Sequence, residues 1–290
     1  MSKLFLPESL ETMSNSTISD YMAAVDGIPG WFQPVDILLF EKINQLQEQN
    51  GVRGNLLEIG VYQGKSAILL GYFLRDGEQL VALDLFETPA PTDDNRTENQ
   101  RRFEGLTRRV FEENYRCFHN DMPMILTCSS TEIGNHNLSR SFRFIHIDGS
   151  HLYDIVRVDI GTAKALSIHG GVVVFDDYRS SNTPGVAAAV WQEVAKGDLV
   201  PFCVTYQKMY ATREADRLDL LAEVRTWANE HSALWVRSHM VFGRELLHIS
   251  MVSKPSLVRR LVRSALPPRL VILGRRLRRR MNQLHERNDR

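Results

Sequence analysis

Two apolar runs that each end in carboxylates constrain this chain most. The stretch Phe142 to Tyr153 (FRFIHIDGSHLY) begins with the length and β-branching of a buried strand and turns polar at Asp148, Gly149, Ser150 and His151. The stretch Gly170 to Tyr178 (GGVVVFDDY) repeats the form and ends in Asp176 and Asp177. In open parallel sheets ligands bind beyond the carboxyl ends of the strands. The two strand ends therefore set three carboxylates and an imidazole around one point.

Upstream, Pro34 is a first-turn proline for a helix whose apolar face is Ile37, Phe40, Ile43 and Leu46 and which stops at Asn50-Gly51. The next stretch, Asn55 to Ser66 (NLLEIGVYQGKS), reads as a short strand, a glycine-bearing turn and the start of an apolar helix over 67–74. Gly60 and Gly64 are spaced G-x-x-x-G, not the G-x-G-x-x-G of a dinucleotide fingerprint, which argues for an adenosine-bearing cofactor other than NAD. A second strand, Gln79 to Asp84, ends in an acid placed to accept hydrogen bonds from both ribose hydroxyls. Glu58, Gly60, Gly64 and Asp84 thus form one expected site. The polar segment between Phe86 and Phe118, with a charged helix carrying Phe103, Leu106, Val110 and Phe111, reads as a lid over the strand ends. Further strands are expected at 124–128 and 200–206, and helices from Ile155 to a stop at Gly170-Gly171, over 185–196 and over 214–230. A strand pair near 234–241 and 245–252 supplies the expected antiparallel last strands.

Leu57 to Ser66 together with Val81 to Asp84 resembles the first two motifs of class I S-adenosylmethionine (SAM) methyltransferases. Ile147 to Tyr153 and Val174 to Tyr178 narrow the resemblance to the metal-dependent small-molecule O-methyltransferases, particularly those that methylate sugar hydroxyls of macrolides and aminocoumarins. The likeness covers roughly residues 30 to 210. It implies an α/β, Rossmann-like, doubly wound sheet of seven mostly parallel strands with helices on both faces. It also implies SAM held by Glu58, Gly60, Gly64, Ser66 and Asp84, with Ser129 or Ser130 on its adenine side, and Mg²⁺ or another divalent cation on Asp148, Asp176 and Asp177. In some of the resembling sugar enzymes a histidine at the place of His151 takes the proton; others use an aspartate two residues beyond the metal ligand, where this chain has Ser150. His151 is therefore the expected base, with helix capping as its structural alternative, and His146 is expected to be a satisfied core residue. The acceptor implied is a sugar or glycosylated small molecule. A catechol-type phenol methyltransferase and a non-catalytic SAM-binding scaffold at a membrane are the competing readings.

Hydrophobic residues make up 43% of the 290 and charged residues 24%, so an ordinary folded core is expected. Three widely spaced cysteines, Cys117, Cys128 and Cys203, form neither a disulfide framework nor a metal pair, and a reducing cytoplasm fits best. No signal peptide or run of about 18 apolar residues is found. The formal charge of zero divides unevenly: from Lys254 to Arg290 there are 12 Lys+Arg against Glu286 and Asp289, leaving 23 basic and 33 acidic residues in the first 253. The chain therefore divides into an N-terminal segment (1–30) that covers the active site or wraps the domain, a methyltransferase domain (31–252) and a basic amphipathic tail (253–290). The tail suits an anionic membrane surface or packs as a basic helix. Nucleic acid is not an expected partner, because the tail lacks aromatic residues. A homo-oligomer is compatible with the sequence and not specified by it.

Overall fold

The computed structural model describes residues 16–102 and 106–252; Phe103 of the lid and the basic tail lie outside the described residues. The N-terminal segment holds a helix the sequence pattern did not reveal, α1 (Ile18–Ala24), started by a capping box in which Thr17 accepts from the Asp20 amide and Asp20 caps back. Seven residues are too few to display a period. Next, α2 (Pro34–Gln49) begins on its proline and ends at Asn50, as expected.

The rest alternates: β1 (Asn55–Ile59), α3 (Lys65–Gly71), β2 (Leu80–Asp84), α4 (Asp93–Arg102), α5 (Arg108–Arg116), β3 (Met124–Thr127), β4 (Phe142–Ile147), α6 (Tyr153–Leu166), β5 (Ser167–Phe175), α7 (Pro184–Lys196), β6 (Val200–Val204), β7 (Met209–Thr212), α8 (Glu214–Glu230), β8 (Leu234–Val241) and β9 (Arg244–Met251). One sheet runs in the order β3-β2-β1-β4-β5-β7-β6-β9-β8. Strands β1 to β5 are mutually parallel, and β7 lies antiparallel between β5 and β6. The sheet has nine strands where seven were expected. Eight of the nine coincide with strand segments read from the sequence, and the one not read is β7, four residues long and too short to register as a pattern. It takes the antiparallel place that the sequence reading gave to the last hairpin, so β8 and β9 extend the sheet beyond β6.

Side chains alternate between two cores, as a sheet covered on both faces requires. Leu56, Phe144, Val172 and Val174 face α2 and α3. Leu57, Ile145, Val173 and Phe175 face α6 and α7. Full burial of such side chains contributes roughly 1.5–3 kcal/mol each.

The helix expected to stop at Gly170-Gly171 ends at Leu166 instead, and those glycines lie within β5. Phe142 pairs with Ser167 but Phe144 with Val172, so β5 bulges between the two. Gly170 permits the bulge by its φ of 74°. No helix among the described residues is long and apolar enough to cross a membrane.

Candidate functional site

After β1 the chain turns through Gly60 (φ 85°), Tyr62 (φ 47°) and Gly64 (φ 94°) into α3. A Cβ at Gly60 would lie 2.1 Å from the Asp148 carbonyl oxygen, so the ends of β1 and β4 meet backbone against backbone. Tyr62, and Phe86 after β2 (φ 49°), are non-glycine residues in the left-handed region. Each turn aims an amide at Asp84: Tyr62 N donates to Oδ2 at 2.8 Å and Phe86 N to Oδ1 at 3.0 Å. The two amides hold the carboxylate in place, and these hydrogen bonds offset the cost of the left-handed backbone at Tyr62 and Phe86. Burial pushes the Asp84 carboxyl up, and the amides oppose that rise. Asp84, Gly60, Ser129, Ser130 and Asp148 line a cleft of about 700 Å³. The fixed carboxylate beside a glycine floor provides what ribose hydroxyls can bond, while Ser129 Oγ is already engaged with Thr131.

A second cleft, about 970 Å³, is lined by Trp31, Ser66, His151, Asp176, Asp177, Asn182 and Gln207, and shares Gly60, Tyr62 and Asp148 with the first. Trp31 is 67% exposed, its ring 5.9 Å from that of Tyr62. Two of the expected cofactor residues, Glu58 and Gly64, line neither cleft. Gly64 backs onto the ring of Phe111. Glu58 is wholly buried, accepting from Ser66 Oγ and bonded to His146 Nδ1 at 2.7 Å. Burial raises the Glu58 carboxyl to about 8, against the opposing effects of Ser66 and Lys208.

Glu58 and His146 are register partners on β1 and β4. His146 is satisfied in the core, as expected, but its other partner was not foreseen: Lys208 Nζ lies 2.9 Å from His146 Nε2. The same ammonium is 2.6 Å from Asp176 Oδ2 and 3.8 Å from Asp148 Oδ2, with 1% of its side chain exposed. Burial disfavours the charge on Lys208, yet the carboxylates of Asp176, Asp148 and Asp36 raise its pKa. Burial, then the nearby Lys208 charge, holds His146 well below its usual range, hence neutral. Burial and the Asp176 charge push the Asp148 carboxyl well up, although 28% of that side chain opens to the cleft.

His146, Asp148 and Asp176 are the His/Cys/Asp/Glu group that converges closely enough to hold an ion among the described residues, their ligand atoms within 4.8 Å of one another. The expected triad of Asp148, Asp176 and Asp177 is not what meets there. Asp177, with φ 54°, places Oδ2 3.0 Å from His151 Nε2. As it stands the donor set does not fit a divalent cation, because an ammonium lies among the carboxylates and the third expected ligand is engaged elsewhere.

His151 lies between two acids, with Nδ1 2.6 Å from Glu98 Oε1 and Nε2 on Asp177. Burial disfavours its charge, but hydrogen bonds to Asp177 and Glu98 outweigh burial and push the imidazole up to about 9. Glu98 comes from α4, inside the segment read as a lid. It also accepts from Ser150 Oγ at 2.8 Å and from the His151 amide at 2.9 Å. Ser150, which carries no carboxylate of its own, therefore reaches one supplied by α4. Sequence reading missed both Lys208 and Glu98. Lys208 had one signal, its position two residues before Tyr210 on the same face of an apolar segment. Glu98 had none among the many acids around it.

Residues 57–178 match a family described as a methyltransferase domain. Among solved structures the chain is similar to the O-methyltransferase NovP, at 22% identity, covering 61% of this chain and 80% of that one, with a TM-score of 0.48. It is similar to CalS11, a calicheamicin methyltransferase, at 15% identity over 74% of this chain and 100% of that one, TM-score 0.48. MycE, a methyltransferase of the mycinamycin biosynthetic pathway in complex with Mg, SAH and mycinamycin VI, is similar at 15% identity over 70% and 55%, TM-score 0.43. No curated protein matches the chain.

Proposed function

We propose, from the match of residues 57–178 to a methyltransferase-domain family, that this chain moves a methyl group from SAM to a hydroxyl of a sugar or glycosylated small molecule. The observation that carries the reading is the meeting of two clefts at Gly60, Tyr62 and Asp148, one holding Asp84 and the other His151. SAM supplies a methyl group already activated by its sulfonium. The protein's task is alignment and the removal of one proton.

Asp84 holds the ribose, and Gly60 lets the backbone approach. His151 takes the hydroxyl proton at Nε2 once that nitrogen is released from Asp177, and Glu98 on Nδ1 keeps the ring aimed. A positioned base of this kind contributes ~10² to 10⁴ in rate. While Asp177 and Glu98 hold the ring, the imidazole is pushed up to about 9, so its base form in the free enzyme accumulates as pH rises and kcat/KM increases with pH up to that region. Trp31 offers a flat apolar face beside the amides of Asn182 and Gln207, a combination suited to the apolar face and adjacent hydroxyls of a pyranose.

A Mg²⁺-assisted version is the second reading, favoured by the convergence of His146, Asp148 and Asp176. It requires Lys208 Nζ to leave Asp176. The test of function is mass spectrometry of sugars, glycosides and catechols after incubation with isotopically labelled SAM. Transfer to a glycoside hydroxyl supports the reading; transfer confined to catechols replaces it with phenol methylation.

A further inference from the structure

We infer that the ammonium of Lys208 occupies the point on which His146, Asp148 and Asp176 converge, so that the acid cluster is compensated by this chain's own residues and takes no metal. The inference rests on the methyltransferase reading for its kinetic half only; its binding half concerns the cluster itself.

Three observations support it. Nζ lies among the groups a metal would use, 2.6 Å from Asp176 Oδ2, 2.9 Å from His146 Nε2 and 3.8 Å from Asp148 Oδ2. A cation at this point would face a positive charge at contact distance, and Mg²⁺ requires oxygen ligands in near-octahedral array. His146 is also unavailable as a ligand while Nε2 accepts from Lys208 and Nδ1 is held by Glu58.

Second, Lys208 is not a surface lysine that has folded inward. Its backbone closes a tight turn between β6 and β7: Lys208 N donates to Thr205 Oγ1 at 2.9 Å and Thr205 N to Lys208 O at 2.8 Å. Thr205 Oγ1 in turn donates to Asp36 Oδ1 at 2.8 Å, and Tyr210 OH donates to the same oxygen at 2.8 Å. The buried Asp36 on α2 thereby fixes the turn, while Nζ lies 5.6 Å from the centre of the Phe32 ring. An ammonium turned away from Asp176 would be a buried charge without a comparable partner, which is a costly state.

Third, the remaining expected ligand is otherwise employed. Asp177 holds His151 Nε2 in this arrangement and is not among the groups that converge on Nζ, so a metal would have to displace Lys208 from Asp176 and recruit Asp177 from the imidazole, a release that the base role of His151 also needs. The role assigned to Lys208 is positioning: it holds Asp148 and Asp176 and does not itself line the acceptor cleft.

The test titrates full-length protein, stripped with EDTA and desalted, with Mn²⁺ followed by electron paramagnetic resonance. Wild type is expected to show no saturable site below about 1 mM. Lys208→Met, which leaves the carboxylates uncompensated, is expected to gain a site at least about tenfold tighter, and Lys208→Arg, which keeps the charge, none. Methyl transfer by wild type, followed on whichever acceptor is found, should be unchanged by EDTA. One tight Mn²⁺ per wild-type chain, or activity abolished by EDTA and restored by Mg²⁺, overturns the inference. So does a soluble Lys208→Met protein with no gain in Mn²⁺ affinity. If Lys208→Met does not fold, the wild-type and Lys208→Arg titrations decide. A failure to find any methyl acceptor leaves the Mn²⁺ result untouched, so the two readings fail separately.

Discussion

Glu98→Gln should uncouple α4 from the site in a pH-dependent way. Helix α4 carries no apolar side chain, and its contacts to the site are polar: Glu98 with Ser150, the His151 amide and the His151 ring, and Asn95 Nδ2 with Ser150 Oγ at 3.4 Å. The rise of His151 from 6.5 to about 9 corresponds to about 3 kcal/mol of preference for the charged ring in the folded state. Only 14% of the side chain is exposed, so solvent screening takes little of this away. Glu98 and Asp177 share the effect, and removing Glu98 forfeits about half, ~1.5 kcal/mol. Because the folded pKa lies above the unfolded one, this stability is fully present below about pH 6.5 and is lost as pH rises through about 9. The lowered pKa of Glu98 is the same interaction seen from its partner and is not counted again. Urea unfolding should therefore place Glu98→Gln below wild type near pH 6 and bring the two together near pH 9.5, with hydrogen exchange in residues 93–102 faster in the variant at the lower pH. A stability difference that stays constant from pH 6 to 9.5 would refute the reasoning, since it would mean that Glu98 acts through packing and not through the His151 charge.

Asp84→Asn keeps the shape but loses the charged acceptor that Tyr62 and Phe86 hold in place, so the dissociation constant for SAM should rise about 10- to 100-fold by calorimetry, and an unchanged value removes Asp84 from the cofactor site. Trp31→Ala removes the exposed ring beside the acceptor cleft; KM for a glycoside should rise about tenfold with kcat little changed, and a fall in kcat alone would place Trp31 elsewhere in the cycle. Gly60→Ala would set a methyl group 2.1 Å from the Asp148 carbonyl oxygen in a backbone with φ 85°, so the protein should lose both thermal stability and SAM binding; a variant with wild-type Tm shows that the two loops can separate freely.

The parts legible in the sequence were those whose chemistry is local to a strand end. Asp84, Gly60, Asp148 and Asp176 come directly at the ends of apolar runs and His151 follows within four residues, so the same residues that define the strand also place the polar group, and a parallel sheet brings such ends to one edge. The order β3-β2-β1-β4-β5 was not read from the sequence, since alternation of strands and helices specifies a parallel sheet and not which strands are neighbours. What escaped was set by partners far away in the chain. Lys208 meets His146 across 62 positions, and Glu98 meets His151 across 53, and no periodicity encodes either pairing. Glu58 reads as a cofactor acid because it lies two residues before Gly60, yet the alternation of β1 points it toward the α2 and α3 core, where it meets His146 and Ser66. The bulge at Gly170 escaped for a similar reason: a glycine pair after a helix signals a cap as readily as a kink within the following strand.

The direction of hydrogen bonding through this core follows from Lys208. An ammonium can only donate, so His146 Nε2, 2.9 Å away, must be the acceptor. The neutral ring then carries its proton on Nδ1 and donates it to Glu58 Oε1, which also accepts from Ser66 at the start of α3. One chain of donors thus runs from Lys208 through His146 to Glu58, on the sheet face shared with Leu56, Phe144, Val174 and Tyr210. Its members come from the β6–β7 turn, β4 and β1, and the order β1-β4-β5-β7 is what makes their side chains neighbours. Replacing Lys208 by a neutral residue therefore does more than uncover two carboxylates. It frees His146 to take the other tautomer, in which Nδ1 no longer donates to Glu58 and the run of hydrogen bonds from the β6–β7 turn to β1 is broken.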